Sequence, residues 1–338
     1  MNDVLKKDNN YFTSLDFLRG LSGYGVAVTH FHAFLYGNAF MEYLSFLFVE
    51  FFFILSGFVL FPQLIQVLNN SKNLFYFYLR RWMRTIPLYI LCLLMVSTIF
   101  NEILSKDFFK YLFFIQDIKP NFLNNYYYPI VWSLSIEEIF YLGFPLIIII
   151  FGKKNFLIKV VILFFSLIIL KNLFMNKFEL DFIRTGTFFR FDAILLGFIL
   201  RFLYTKFINP KIILISLFFG LTFYCFSEDF VSKNQDLLVI KIFFVPFLQL
   251  LSVNVLCFFI SWENIFKKKH LKKFSIIISK QTYSVYLTHI IFIYIFIKLD
   301  FNPILEFILY LILLFASSSF FYYFIEKPIL ILRPKLKN

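Results

Sequence analysis

An arginine and a histidine open the first apolar segment of this chain. They are Arg19 and His30, in the stretch Ser14-Leu-Asp-Phe-Leu-Arg-Gly-Leu-Ser-Gly-Tyr-Gly-Val-Ala-Val-Thr-His30. On a helix, eleven steps return His30 to within about 20° of Arg19 and about 16 Å along the axis. That is roughly half the hydrocarbon thickness of a bilayer. The spacing predicts a cation at the membrane face and an imidazole near the membrane centre, on one stripe. Asp16 lies about 60° from Arg19 in the same projection and joins that stripe. His32 points nearly the other way.

Four further clusters carry polar groups in apolar surroundings. Arg80, Arg81 and Arg84 precede Pro87 and share a helix face. A planar guanidinium fork suits phosphate oxygens; read more plainly, the three anchor the chain among lipid headgroups. Trp132-Ser-Leu-Ser-Ile-Glu-Glu138 places two carboxylates at the start of an apolar run. An ionisable residue there is costly and so points to function or to a partner cation. Adjacent helical residues diverge by about 100°, so only one carboxylate can face a given pocket, and Glu137 is preferred. Arg190 and Asp192 open another run and cannot face each other; each needs a partner elsewhere, for example Glu137. Tyr283-Ser-Val-Tyr-Leu-Thr-His289 puts a histidine inside a late segment. A lone histidine is more often a helix-contact residue than a catalyst. His30 and His289 lack a third ligand at metal-ligand spacing, so no metal is expected.

The elements that would hold these groups follow from composition. Of 338 residues, 60% are hydrophobic, far more than a soluble surface permits. The apolar residues fall in ten blocks, near 21–40, 43–65, 86–101, 138–152, 156–174, 190–205, 211–227, 238–260, 283–298 and 304–325. Each is about long enough to cross a membrane as a helix. The 55 Phe are read mainly as packing residues. Ser56-Gly57 offers close helix approach, and Glu326-Lys327-Pro328 a helix stop. The expectation is an all-α integral membrane protein of about ten helices, with one membrane domain over 14–328. A short N-terminal segment, 1–13, and a basic tail, 329–338, flank it. No secretory signal precedes the first block. Cys92, Cys225 and Cys257 have no paired spacing, which argues against a disulfide framework.

The net charge is +13. Its distribution argues against nucleic acid, because most basic residues fall in alternate connections. Lys6 and Lys7, Lys72 with the arginine cluster, Lys267–Lys280 and Lys327–Lys337 all land on one side when ten spans start inside. This is the positive-inside pattern, with both termini cytoplasmic.

Seven segments, in order, carry a resemblance. They are Leu15-Asp-Phe-Leu-Arg-Gly20 with His30; Phe51-Phe-Phe-Ile-Leu-Ser-Gly-Phe58; Arg80-Arg-Trp-Met-Arg-Thr-Ile-Pro87; Trp132-Ser-Leu-Ser-Ile-Glu-Glu-Ile-Phe-Tyr141; Arg190-Phe-Asp-Ala-Ile-Leu-Leu-Gly197; Tyr283–His289; and Glu326-Lys-Pro328. Together they resemble the acyltransferase-3 family of integral membrane acyltransferases, over nearly the whole chain. Where the family usually has Gln after the Glu pair, this chain has Ile139. The resemblance implies a bacterial cytoplasmic-membrane enzyme that moves an acyl group, commonly acetyl, from acyl-CoA to a sugar hydroxyl. The acceptor would be O-antigen, exopolysaccharide, peptidoglycan or a small glycoside. His30 and Arg19 match the family's essential motif, and Arg80, Arg81 and Arg84 match its acyl-CoA arginines. Some members carry a fused SGNH domain; none follows Pro328 here, so the expectation is either a separate extracytoplasmic transferase for a second transfer step or an acceptor that reaches the membrane site directly.

The chemistry expected is an alcohol attacking a thioester, which needs a base and an oxyanion stabiliser. His30 would take the hydroxyl proton or carry the acyl group, and Arg19 with Asp16 would orient it or hold CoA phosphate. Glu137 completes the catalytic candidates. Trp132, Ser135, Arg190, Asp192 and His289 are the acceptor-side candidates. Membrane lipids are the other expected partner. A transporter or flippase of a lipid-linked sugar or metabolite is the competing class, since many spans and intramembrane charges suit it equally.

Overall fold

A computed structural model describes residues 11–207, 209–299 and 301–336. Expectations for residues 1–10, including Lys6 and Lys7, and for Lys337, lie outside the described residues. The chain is helical, with no β-strand among the described residues. Among the described residues, ten long helices overlap the ten apolar blocks: α1 Thr13–Tyr36, α2 Ala39–Asn69, α3 Asn73–Ile99, α4 Trp132–Phe151, α5 Phe156–Phe174, α6 Phe191–Phe207, α7 Pro210–Phe226, α8 Leu238–Ser261, α9 Lys269–Phe296 and α10 Pro303–Phe321.

Seven of them are long and apolar enough to cross a membrane: α2, α3, α4, α5, α8, α9 and α10, some extended by adjoining turns. Helix α7 is apolar but has only 17 residues; α6 also has 17. Helix α1 is 24 residues long but carries Asp16, Arg19 and His30. This is an all-α membrane protein. Backbone groups in lipid have no water to bond, so helices satisfy them internally.

The expected blocks start late where polar residues sit inside helices. Helix α3 begins at Asn73 rather than near 86 and runs through Pro87; α9 begins at Lys269 rather than near 283; α1 begins at Thr13. Long cationic side chains can reach back to the interface while their backbone stays helical. Pro328 does not stop the last helix. A π-helical turn, Tyr322–Glu326, follows α10, and a further helical turn, Lys327–Ile331, takes Pro328 in its first positions. Proline is tolerated there because its missing N–H is unneeded.

Helices α2 and α9 are the most enclosed spans, and α5 and α10 are mostly exposed. The lipid-facing sides present residues such as Phe165, Ile169, Phe218 and Phe315. Helix α1 packs most extensively on α9, and α2 on α6. The second contact depends on Gly57 and Gly197. A Cβ on Gly57 would lie 1.8 Å from the Ile194 carbonyl oxygen, and one on Gly197 2.0 Å from that of Ile54. The packing role read for Gly57 therefore has a reciprocal partner.

Local devices fix the start of α1. Glu263, on a short helix far along the chain, accepts the amides of Thr13 and Ser14 at 3.0 and 2.9 Å. These are orphan donors of a helix N-terminus, where a carboxylate is also favoured by the dipole. Gly37 ends α1 in the left-handed region at φ 63°. Between α3 and α4, Asp107 accepts the amides of Asn124 and Asn125, both at 2.8 Å, and Lys110 at 2.8 Å.

Candidate functional site

The α1–α9 contact brings two polar pairs together. At one end, Arg19 Nη1 lies 3.6 Å from Asp16 Oδ1 and 3.5 Å from Ser279 Oγ. Ser279 in turn donates to Asp16 Oδ1 at 2.9 Å, and Tyr11 donates to Asp16 Oδ2. Asp16 thus holds Arg19 one turn away on the same helix.

At the other end, His30 Nδ1 lies 3.1 Å from His289 Nε2. His289 Nδ1 lies 2.7 Å from the Tyr286 carbonyl oxygen and 3.3 Å from that of Val285. A carbonyl can only accept, so the proton of neutral His289 sits on Nδ1 and its Nε2 is an acceptor. His30 must then donate from Nδ1, which leaves its Nε2 as a lone-pair nitrogen. No hydrogen bond to that nitrogen occurs among the described residues. These protonation states follow from the acceptors present and are inferred from the heavy atoms. The pair has no third His, Cys, Asp or Glu nearby that could complete a metal site, among the described residues.

Between the two ends lies a cavity of about 210 Å³. Five arginines line it: Arg19, Arg80, Arg81, Arg84 and Arg333. Glu137 is the one acidic side chain in its lining, and Ser56, Gln63, Ser133, Tyr141, Tyr283 and Tyr286 supply other polar groups. On α2 the lining runs from Phe52 to Gln63, a helical rise of about 16 Å. The cavity is therefore long and narrow. The three α3 arginines share the face that the sequence spacing predicts. Arg81 sits 5.3 Å from the Tyr141 ring centroid and 5.7 Å from that of Phe77, within cation–π range. Tyr283 ties α9 to α3 through the Thr85 carbonyl at 2.7 Å.

Tyr286 closes the inner end. Its hydroxyl is 2.6 Å from Ser133 Oγ, and its ring is 5.9 Å from that of Phe52. Its carbonyl is the acceptor for His289. One residue thus faces the cavity with its side chain and braces the histidine pair with its backbone. Neither His30 nor His289 is part of the cavity lining.

The remaining candidates lie elsewhere. Glu137 lines the cavity, and Glu138 is buried beside it. Arg190 does not meet Glu137; it pairs with Glu50, both about 1% exposed, and donates to the Arg184 carbonyl at 3.0 Å. Asp192 pairs with Lys171, also buried. Trp132 packs edge-on to Phe53 at 5.8 Å and lies 5.3 Å from the Arg184 guanidinium. Ser135 donates to the Val131 carbonyl at 3.2 Å and accepts from Gln116. None of these four lines the cavity. Glu50, Lys171 and Arg333 are the charged residues that sequence reading did not single out. For Glu50 and Lys171 the available signal was a single charge inside an apolar run.

A family model described as an acyltransferase domain matches residues 12–323. The O-acetyltransferase OatA of Staphylococcus aureus (strain NCTC 8325 / PS 47) is 28% identical over 357 residues, covering 94% of this chain and 57% of its own length. A putative O-acetyltransferase of Staphylococcus aureus (strain COL) is 28% identical over 228 residues, covering 60% of this chain and 36% of its own. An uncharacterised protein of Haemophilus influenzae is 32% identical over 142 residues, covering 36% of this chain and 58% of its own. The chain thus spans little more than half the length of the OatA relative. No solved structure matches it.

Proposed function

The chain belongs to the acyltransferase family whose domain model spans residues 12–323, and on that premise we propose that it is a membrane O-acyltransferase. It takes an acyl group, acetyl in the simplest case, from an acyl-CoA bound at the arginine end. It delivers that group to a hydroxyl of a cell-envelope or exported sugar. The observation that carries this reading is the order of parts along one line: five arginines, an elongated cavity, then a histidine pair with one free ring nitrogen. The O-acetyltransferase names of two relatives support it.

In this reading the guanidinium groups of Arg80, Arg81 and Arg84 hold the donor's phosphates. The thioester end points along the cavity towards Tyr286. The acceptor oxygen bonds to the thioester carbon while its proton passes to His30 Nε2. The imidazolium formed is stabilised by its Nδ1–H bond to His289 Nε2, which also fixes the tautomer beforehand. When the carbon–sulfur bond breaks, its electron pair leaves on sulfur, and His30 returns the proton to the thiolate. His289 acts through His30 and is a positioning residue. Because Tyr286 stands between cavity and histidines, its side chain has to swing aside for the thioester to reach His30.

The same reading has all ten long helices crossing a bacterial cytoplasmic membrane with both termini inside. The basic clusters in the first turns of α3, around the start of α9 and after α10 support that orientation. The test is transfer of radiolabelled acetyl from acetyl-CoA in membranes containing the protein, with native envelope material as acceptor and His30→Ala in parallel. Label appearing in a glycan with the native protein and absent with the variant is the expected result. No label above the variant, with folded protein and acceptor present, would overturn the acetyl-transfer reading and turn attention to transport.

A further inference from the structure

Three guanidinium Nε–H groups, on Arg80, Arg81 and Arg333, are buried with no hydrogen-bond acceptor among the described residues. All three side chains line the cavity. A buried donor left unmade is costly, and a buried charge more so. The five arginines face a single lining carboxylate, Glu137. With Arg19 also held by Asp16, about three positive charges remain uncompensated, a surplus suited to a phosphate monoester and part of a diphosphate near neutral pH.

Arg333 is the unexpected member. It follows the last helical turn, Lys327–Ile331, and would be an ordinary tail residue were it not folded back. The tie is the next residue: the Pro334 carbonyl accepts from Arg80 Nη1 at 2.6 Å. This bond draws the C-terminal segment across the arginine end of the cavity. Burial, then Arg84, Arg80 and Arg81, push the Arg333 guanidinium down to about 10. It remains charged at neutral pH, among like charges that only an anion can relieve.

The lining has two ends. Gln63, Arg80 and Arg333 belong to one; Phe52, Ser133 and Tyr286 belong to the other, beside the histidine pair. A donor that enters thioester first leaves its nucleotide end with Arg80 and Arg333.

We propose that Arg333 is a donor-binding residue, which recognises the ribose 3′-phosphate at the nucleotide end of acyl-CoA. The proposal rests on the acyl-CoA reading above and adds a phosphate contact supplied from beyond the last membrane helix. It makes the C-terminal segment part of the donor site, strapped down through Arg80 and Pro334.

The test needs no turnover, so it is independent of the acceptor. The protein is placed in nanodiscs of zwitterionic lipid, and the binding of CoA and of 3′-dephospho-CoA is measured by calorimetry. The native protein is expected to bind CoA about tenfold more tightly, the size of a charge-assisted contact. Arg333→Ala should weaken CoA to the level of dephospho-CoA and leave dephospho-CoA almost unchanged. Arg333→Lys should restore part of the difference, and an unchanged melting temperature shows the fold intact. Full discrimination retained in Arg333→Ala would overturn the assignment. So would CoA binding that Arg333→Ala weakens only in anionic-lipid discs, since the arginine would then serve lipid headgroups. Absence of binding by the native protein to either ligand would overturn the donor reading itself.

Discussion

Arg19 lines the arginine cavity, and His30, eleven residues further along the same helix, does not. The two sit on one stripe of α1, yet they meet different partners on α9: Ser279 for Arg19 and His289 for His30. The helix pair thus sets the arginine end and the histidine pair about 16 Å apart along α1, and in the proposed reading these are the donor-binding and proton-transfer ends.

The 3.1 Å contact between His30 Nδ1 and His289 Nε2 predicts that the two histidines act as one unit. His30→Ala is expected to abolish transfer. His289→Ala should lower kcat about 10- to 100-fold, the usual effect of losing a group that orients a ligand or base. The double variant should be no worse than His30→Ala alone, since residues acting together are non-additive. Initial rates of acetyl transfer for the four proteins check this. Multiplicative losses would count against a shared role.

The arginines should act on donor affinity. Arg84→Ala is expected to raise the KM for acetyl-CoA about tenfold or more, with a smaller change in kcat. Arg84→Lys should rescue only in part, because an ammonium lacks the planar fork. Steady-state kinetics at saturating acceptor measures both. An unchanged KM would remove Arg84 from the donor site.

The apolar blocks were readable because lipid imposes a minimum apolar length, and that length is local in sequence; seven of the resulting helices meet it. The helix starts were not, since the basic and acidic residues at Asp16–Arg19, Arg80–Arg84 and Lys269–Lys280 continue the helix outside any apolar window. The arginine face on α3 was readable from i, i+3 and i+4 spacing. The Arg190 partner was not: Glu50 lies 140 residues away, and only packing of α2 on α6 brings them together. His30 and His289 are 259 apart, so their hydrogen bond has no sequence signature. Arg333 was hidden because a basic tail also satisfies the positive-inside pattern.

The Glu50–Arg190 pair predicts a stability effect rather than a catalytic one. Glu50→Gln leaves Arg190 buried without its countercharge and is expected to cost about 3–5 kcal/mol. Glu50→Leu combined with Arg190→Met should recover most of that loss. Melting temperatures in detergent, followed by size-exclusion fluorescence, compare the single and double variants. A single variant as stable as the native protein would refute the pairing.

The loop between α3 and α4 carries a pH dependence. Burial, and then the nearby Asp181, raise the Asp117 carboxyl from its ordinary 3.8 to about 7. The folded loop therefore holds a proton that the unfolded chain releases near pH 4. The associated stability is present below about pH 4 and is lost as pH rises towards about 7. Asp117→Asn should flatten this dependence and raise the melting temperature at pH 8 relative to the native protein. Thermal melts from pH 4 to pH 8 give the comparison; parallel curves for the two proteins would count against it.

The reciprocal contact of Gly57 and Gly197 has a mechanical consequence. Each backbone sits where the other's side chain would be, so α2 and α6 cannot slide or turn past one another without collision. The α2 wall of the cavity is then a fixed surface. If the chain moves an acyl group across the bilayer as proposed, some wall of the cavity has to yield. The lining elements with looser ties are then the expected place for it: α3, where Pro87 removes a helical N–H donor, and the C-terminal segment held to α3 through Arg80. Transfer speed should therefore respond to the stiffness of α3 and of the surrounding lipid, and hardly at all to further tightening between α2 and α6.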